Sequence, residues 1–218
     1  MRPQAVLFDW DVTVVDSAGS IHAALDDVFE RYGGERWSPA DVADWLRRSM
    51  RVSFKDLFGE NAKGAATYFY TCYRDHHLDN VSLMPGAVET LNMLRDAGLY
   101  LGVVSSKRGT LVRAEAQVLD IEEFFSSLVG AADAEQDKPH AAAIELALQG
   151  SGRATAGKDV WYVGDCGIDV VCARNSGCTA VIIGPSPALV GEEVQQPDHH
   201  FVDHLAFQTF VRENKFTI

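Results

Sequence analysis

The sequence predicts an α/β fold, in which helices cover both faces of a parallel sheet and an all-helical segment is inserted near the start. From residue 83 onward, short apolar runs alternate with amphipathic segments, a pattern typical of parallel strands joined by helices. Between residues 17 and 82, apolar residues recur at helical spacing instead. We therefore expect an α/β core domain of residues 1–16 and 83–218, interrupted by an all-helical domain of residues 17–82.

The inserted segment is expected to hold four helices. The first covers Ser20–Tyr32 and is ended by a glycine pair, and the second follows a Ser-Pro cap signal at residues 38–41. The third is expected at Ser53–Phe58 and the fourth from Ala62 to about Leu78. Because the insert leaves the core directly after residue 16, it can close over whatever the adjoining residues bind.

The remaining elements alternate along the core. The expected strands are Ala5–Phe8, Leu99–Val104, Leu128–Val129, Val160–Val163 and Thr179–Ile183. The expected helices are Ala87–Ala97, Thr110–Leu119, Pro139–Gln149 and Asp169–Asn175. Open sheets of this kind bind ligands at the carboxyl ends of their strands. The residues that follow each strand are therefore the first candidates for a site.

Composition narrows the classes of function. The 218 residues include 19 Lys and Arg against 31 Asp and Glu, a formal net charge of −12 at pH 7. So acidic a protein has no general attraction for nucleic acid or for an anionic membrane surface. The sequence shows neither an apolar run of membrane-spanning length nor a secretory pattern at its start. We expect a soluble, cytoplasmic protein.

The four cysteines agree with a reducing compartment. Cys72, Cys166, Cys172 and Cys178 include no C-x-x-C pair of the kind found in zinc and redox sites. We expect ordinary buried thiols at all four positions.

Two aspartates follow the first strand. Asp9 and Asp11 are spaced i, i+2, so their side chains share one face if the backbone stays extended past Phe8. Like charges this close repel unless a cation or hydrogen-bond donors hold both ionised. Mg²⁺ takes oxygen ligands and commonly uses one or two carboxylates together with a substrate phosphate. The alternative is that the pair merely begins a turn or caps a helix.

Polar residues also follow two later strands. Ser105 and Ser106 come after the apolar residues 102–104 and are followed by Lys107. Their hydroxyls and the backbone N–H groups could bind an anion, or these residues could simply cap the next helix. Lys138 precedes a helix start, a position that the helix dipole makes unfavourable for a cation. It would therefore either meet a phosphate oxygen or lie solvated at the surface.

A second acidic pair follows the strand at residues 160–163. Asp165 and Asp169 are four residues apart at a helix beginning, where they could share one cation or one lysine. Two carboxylates that cap the helix are the alternative. An aspartate pair, a serine, a lysine and a second acidic pair thus occur in order, each at the end of a different strand.

In this order the four segments resemble the motifs of the haloacid dehalogenase superfamily. They read FDWDVTVVDS, GVVSSK, DKPH and VGDCGID, and residues 197–203 resemble the last strand of that family. The resemblance implies a Rossmann-like core with an inserted helical cap, most similar to phosphoglycolate phosphatases. A halide leaving group needs no proton, and the dehalogenases lack the second aspartate. Asp11 therefore favours a phosphatase.

The resemblance also implies roles for the acidic residues. Asp9 would attack phosphorus and form an aspartyl-phosphate, while Asp11 would protonate the leaving oxygen and later deprotonate water. Mg²⁺ would be held by Asp9, the backbone carbonyl of Asp11 and Asp165, with Asp169 supporting them.

The same resemblance implies which residues bind the phosphoryl group, but it does not identify the substrate. Ser105 and Lys138 would bind the phosphoryl oxygens and stabilise charge in the transition state, with Ser106 as a further substrate contact. Three departures from the family pattern put the substrate in question: Val12 replaces a usual glycine, Ser106 a common asparagine, and His140 alters the usual K-P-x-P.

A basic stretch in the insert stands out against the acidic chain. Residues 47–55 carry four cations, and relatives hold a substrate-specificity loop at this place. We expect Arg51 to meet the anionic or polar part of the substrate when the insert closes. A solvated basic helix face is the alternative.

These observations predict a Mg²⁺-dependent phosphatase for small phosphorylated metabolites, with 2-phosphoglycolate or a similar monoester as the first choice. We expect a monomer or homodimer with no nucleic-acid or membrane partner. Two alternatives stay open. A sugar-phosphate phosphomutase would use the same residues, and a catalytically silent binding protein could share the fold.

Overall fold

The protein is built around a six-stranded sheet in which every neighbouring pair is parallel. The computed structural model describes residues 2–38, 41–42, 50–152, 156–184, 189–190 and 193–214. The sheet strands are β1 (Ala5–Phe8), β4 (Tyr100–Arg108), β5 (Ser127–Ala131), β6 (Val160–Gly164), β7 (Thr179–Ile183) and β10 (His199–Phe201). Their order across the sheet is β10-β7-β6-β1-β4-β5. Strand β1 therefore lies between β4 and β6.

Helices cover both faces of this sheet. The helices of the described residues are α1 (Ala18–Tyr32), α2 (Met50–Phe58), α3 (Ala62–His76), α4 (Ala87–Asp96), α5 (Gly109–Val118), α6 (Ala141–Leu148), α7 (Gly167–Asn175) and α8 (His204–Glu213). Val6 and Phe8 of β1 pack with buried residues of α4, α5 and α8, and Ala5 and Leu7 pack with those of α6 and α7. Because alternate residues of one strand enter two separate apolar clusters, the predicted α/β fold is confirmed.

The insert has an apolar cluster of its own. Helices α1 and α3 pack side by side, and α2 packs against α3, with buried aromatic residues between them such as Phe29, Phe54 and Phe69. Most of the second predicted helix, including Trp45 and Leu46, lies outside the described residues. None of the helices described here combines the length and the apolar character needed to cross a membrane.

Two short strand pairs were not predicted. Strands β2 (Val15–Asp16) and β3 (Ser82–Leu83) pair antiparallel where the chain leaves and re-enters the core, and β8 (Leu189–Val190) pairs with β9 (Glu193–Val194). Strands of two residues show no periodicity, so a pattern-based prediction does not detect them.

Two predicted boundaries are wrong at the end that faces the site. Strand β4 runs on to Arg108 rather than ending at Val104, and α5 begins only at Gly109. Helix α6 begins at Ala141 rather than Pro139, with the His140 ring accepting the N–H of Ala142 at 3.2 Å. In both places polar residues that were expected at a helix start belong to the preceding strand or loop.

Candidate active site

The chain turns sharply after β1. Strand β1 ends at Phe8, and the φ angle of Val12 is 63°, in the left-handed region. The Val12 N–H donates to the carbonyl of Val15 at 2.7 Å. The expectation of an extended backbone through Asp9 and Asp11 is therefore wrong. The turn alternative describes the backbone correctly.

Lys138 brings two of the predicted acids together. Its Nζ donates to Oδ1 of Asp9 at 2.7 Å and forms an ion pair with Asp169. The lysine side chain is only 2% exposed, so the surface alternative for it is wrong. Residues 129 positions apart in the sequence thus meet in one buried group.

Asp169 is held from the amino end of α7. Its Oδ2 accepts the backbone N–H groups of Asp165 (3.1 Å) and Cys166 (3.0 Å) and the Cys166 thiol (3.2 Å). The capping alternative is therefore correct for Asp169, which also reaches Lys138 with its other oxygen. A Cβ on Gly164 would collide with the Asp169 carboxyl group, so only glycine leaves room for it.

Burial and mutual repulsion perturb the titration of this group. Burial raises the pKa of Asp9 to about 7, with Lys138 opposing the rise and Asp169 adding to it. Burial also raises the pKa of Asp165 well above its ordinary value, and the charges of Asp169 and Asp9 add to that effect. Burial alone would lower the pKa of Lys138, but Asp169 and Asp9 outweigh it and raise that pKa.

The surplus of negative charge suits a hard cation. Three carboxylates, of Asp9, Asp165 and Asp169, face one lysine. Burial raises the pKa of Asp9 and of Asp165, and the charge of Asp169 adds to both rises. Ligand atoms of Asp165, Cys166 and Asp169 lie within 4.8 Å of one another. A divalent ion that prefers oxygen ligands would relieve this repulsion, so the donor set fits the expected metal.

Asp11 has a lysine partner of its own. Its Oδ1 accepts from Lys107 Nζ at 2.6 Å and from the Ser17 hydroxyl at 2.5 Å. Lys107 also donates to both oxygens of Glu115, at 2.7 and 3.0 Å. No role was predicted for Lys107, and Glu115 was not predicted as part of the site. The available signal was a glutamate on the face of α5 that Val112 occupies, since that face is buried.

The other predicted site residues make fewer contacts. Ser105 is buried, and its Oγ accepts the N–H of Lys107 at 3.1 Å. The N-cap alternative for Ser105 is wrong because α5 begins only at Gly109. Ser106 is exposed at the end of β4. Arg51 belongs to α2, but its side chain lies outside the described part of the structure.

The cysteines agree with the expectation except at one position. All four are free thiols, and Cys72, Cys172 and Cys178 are buried. Cys166 is only partly buried, and it lies inside the acidic group through its contact with Asp169. The sequence did not indicate this, because the position of the Cys166 side chain depends on the conformation of the turn that precedes α7.

A protein-family comparison decides the class. The model of the haloacid dehalogenase-like hydrolases matches residues 6–183, a span that contains the acidic group and both lysines. The chain belongs to the haloacid dehalogenase-like hydrolase family. The expected superfamily and the expected phosphatase class of enzyme are therefore confirmed.

Individual members of this family are related only distantly. Phosphoglycolate phosphatase 1 of Pseudomonas aeruginosa is 28% identical over 194 residues, covering 84% of this chain and 70% of that protein. Pyrophosphatase PpaX of Halalkalibacterium halodurans is 26% identical over 203 residues, covering 93% of each chain.

Solved structures of the family share the fold. A predicted phosphatase from Clostridium acetobutylicum superimposes with a TM-score of 0.82 at 18% identity, covering 98% of this chain and 100% of that chain. A hydrolase of the haloacid dehalogenase-like family from Streptococcus pneumoniae gives a TM-score of 0.81 at 23% identity, covering 96% and 98%.

Proposed function

We propose that this enzyme is a Mg²⁺-dependent phosphatase that hydrolyses small phosphorylated metabolites through an aspartyl-phosphate on Asp9. The observation that carries the proposal is the buried group of Asp9, Lys138 and Asp169, which come from three distant parts of the sequence. Membership of a hydrolase family and the phosphatase relatives support the same reaction class.

The two aspartates after β1 have different roles in the proposed reaction. Lys138 contacts Oδ1 of Asp9, which leaves Oδ2 to attack phosphorus in line. As the new P–O bond forms, the bond to the leaving oxygen breaks, and Asp11 gives that oxygen a proton. Asp11 then takes a proton from the water that attacks the aspartyl-phosphate, which releases phosphate and restores Asp9. Lys138 and Ser105 bind the phosphoryl oxygens.

The acidic group is the proposed place of the metal. Asp9, Asp165 and the backbone carbonyl of Asp11 would hold the ion, with Asp169 behind them. When bound, Mg²⁺ supplies positive charge between a carboxylate and an anionic phosphoryl group. The raised pKa values of Asp9 and Asp165 support this assignment. Burial is their main cause, and neighbouring carboxylates that one lysine does not balance add to it.

The relatives suggest two substrates to test first. One is named a phosphoglycolate phosphatase and the other a pyrophosphatase, and the second is matched over nearly its whole length. We place 2-phosphoglycolate and inorganic pyrophosphate at the head of a panel of small phosphate compounds. Arg51 and Ser106 are the proposed contacts to the rest of the substrate, with residues 17–82 as a cap domain over the core of residues 1–16 and 83–218.

The test is phosphate release from this panel with Mg²⁺ and with EDTA, for the wild type and Asp9→Asn. We expect Mg²⁺-dependent release that falls by at least about 10³-fold in Asp9→Asn, since removing a nucleophile has effects of this size or larger. Asp96→Asn, a change at an exposed aspartate of α4, is the matched control and should match the wild type. Substantial activity in Asp9→Asn would contradict the proposal, and formation of isomers without phosphate would favour a phosphomutase.

A further inference from the structure

Glu115 is a fully buried carboxylate with a complete set of donors. Its oxygens accept from Trp10 Nε1 at 2.7 Å, the Tyr73 hydroxyl at 3.1 Å and His77 Nδ1 at 3.0 Å. Lys107 Nζ reaches both oxygens, at 2.7 and 3.0 Å. A buried charge is strongly unfavourable unless it is paired and hydrogen-bonded in this way. So many converging donors indicate a group whose place is tightly determined.

Lys107 connects this buried acid to the site. Its side chain is 7% exposed, and the same Nζ that contacts Glu115 lies 2.6 Å from Oδ1 of Asp11. The Ser17 hydroxyl contacts the same oxygen at 2.5 Å. Among the described residues, hydrogen bonds reach Oδ1 of Asp11 and not Oδ2. The carboxylate is therefore held by one oxygen, which leaves the other for the substrate.

The insert contributes two of the groups around Glu115. Tyr73 lies in the last turn of α3 and His77 directly follows that helix, so four residues separate them and they share one face. Their rings stack with centroids 5.9 Å apart. Lys107 Nζ lies 5.0 Å from the centroid of the Tyr73 ring. The lysine therefore contacts the core and the insert at the same time.

We propose that Lys107 and Glu115 are positioning residues for Asp11, and that Tyr73 and His77 make their support depend on the docked insert. The inference rests on the proposed function, in which Asp11 transfers a proton to the leaving oxygen. Proton transfer requires heavy atoms about 2.6–3.2 Å apart in the reacting geometry. Asp11 can rotate about two side-chain bonds, and without Lys107 only Ser17 restrains its carboxylate.

The reactivity of the leaving group distinguishes positioning from other roles. An alkoxide leaves poorly without a proton, whereas p-nitrophenolate leaves well without one. A variant with a misplaced acid should therefore lose more activity on an alkyl phosphate than on p-nitrophenyl phosphate. A general loss of folded enzyme would reduce both rates equally, and a lost substrate contact would raise KM instead.

The principal variant is Lys107→Met, measured on p-nitrophenyl phosphate and on the alkyl phosphate that the wild type hydrolyses fastest. We expect kcat/KM on the alkyl phosphate to fall by about 10²-fold, the lower range for loss of acid–base catalysis, and kcat/KM on p-nitrophenyl phosphate by less than about 5-fold. The ratio kcat/KM reports only the transfer to Asp9, whereas kcat also includes hydrolysis of the aspartyl-phosphate, in which Asp11 acts after either ester. Lys158→Met is the matched control, since that lysine is largely exposed and pairs with Asp198.

Tyr73→Phe is the second variant, and it removes only one hydroxyl from the insert. We expect the same preference for p-nitrophenyl phosphate with a loss of about 3- to 10-fold on the alkyl phosphate, as for one weakened positioning contact. If Lys107→Met does not fold, as judged by circular dichroism and thermal unfolding, Tyr73→Phe alone tests the inference. Adding Tyr73→Phe to a folded Lys107→Met variant should have little further effect on kcat, because both act through one contact.

Two results would overturn the inference alone. These are equal losses of kcat/KM on both esters, and a raised KM with unchanged kcat, each in an otherwise active enzyme. A wild type that releases no phosphate from either ester with Mg²⁺ would instead overturn the proposed function, and the inference would fall with it.

Discussion

The two aspartates that follow β1 lie in similar groups of charged side chains. The two groups differ in how fully their acids are supplied with hydrogen-bond donors. Each aspartate pairs with a lysine that in turn pairs with a second acid. The first triad is Asp9–Lys138–Asp169 and the second triad is Asp11–Lys107–Glu115. In the first triad, burial and neighbouring carboxylates raise the pKa of Asp9 to about 7. In the second, four side chains donate to Glu115.

This difference distinguishes the residues that are proposed to react from those that are proposed to hold them in place. A group of acids with too few donors gains stability when it binds a cation or a phosphoryl group. A group whose hydrogen bonds are all made gains nothing from a ligand, and it resists displacement. The first triad therefore has the properties of a reacting centre. In the second triad, Glu115 and Lys107 have those of a scaffold, which holds one oxygen of Asp11 and leaves the other for the substrate. Among the described residues, Tyr73 and His77 of the insert contact the second triad, and none contacts the first.

Removing Glu115, the fully buried acid of the second triad, should have the largest effect on stability. We expect Glu115→Ala to lower the free energy of unfolding by about 3–5 kcal/mol, the range for breaking a buried ion pair from one side. Asp9→Asn is the contrasting change and should leave that free energy equal or higher, because burial disfavours the charged form of Asp9. Urea unfolding monitored by circular dichroism measures both. Equal losses in the two variants would remove the distinction between the triads.

Disturbing the first triad should affect activity more than stability. In Gly164→Ala the new methyl group displaces the Asp169 carboxyl group, which pairs with Lys138. A displacement of this kind near reacting groups lowers kcat by about 10²-fold, as phosphate release would show. Gly150→Ala is the control, since a Cβ there meets only the Tyr100 ring, at 3.4 Å or more, and it should keep full activity. If both variants are equally active, Asp169 has no role in the reaction.

The smallest expected effect concerns the turn that directly follows the two aspartates. Val12 adopts a φ of 63°, which is unfavourable for a β-branched residue by about 1–2 kcal/mol. After the greater flexibility of an unfolded glycine is subtracted, Val12→Gly should stabilise the protein by about 0.5–1 kcal/mol. Ala132→Gly, at a φ of 69°, should gain less because alanine is not branched. A Val12→Gly variant with a lower thermal midpoint than the wild type would contradict this account.

The first triad could be anticipated because its members follow predicted strands. Asp9 follows β1, and Asp165 follows β6, with Asp169 one turn beyond it. Lys138 comes from the loop after β5. The carboxyl ends of parallel strands meet at one edge, so locating the strands was enough to bring these residues together. The direct pairing of Lys138 with Asp9 was not predicted, because side-chain partners depend on distances that a pattern does not contain.

The second triad could not be anticipated in this way. Glu115 lies within α5, and its donors include Trp10 from 105 positions away and Tyr73 from 42 positions away. Whether such residues meet depends on the rotation of α5 and α3 about their axes and on how closely these two helices approach each other. Helical periodicity predicts which face is buried, but not which side chain of another element lies opposite.

The sequence by itself determined the alternation of strands and helices, the inserted helices and the candidates for the reacting residues, because each depends on local periodicity or on short motifs. Only the tertiary structure decided that β1 stops before Asp9 and that a lysine pairs with each aspartate. It also decided that the insert contacts the residues that hold Asp11 in place. Those features depend on contacts between residues far apart in the chain, which form only when the helices have packed on the sheet.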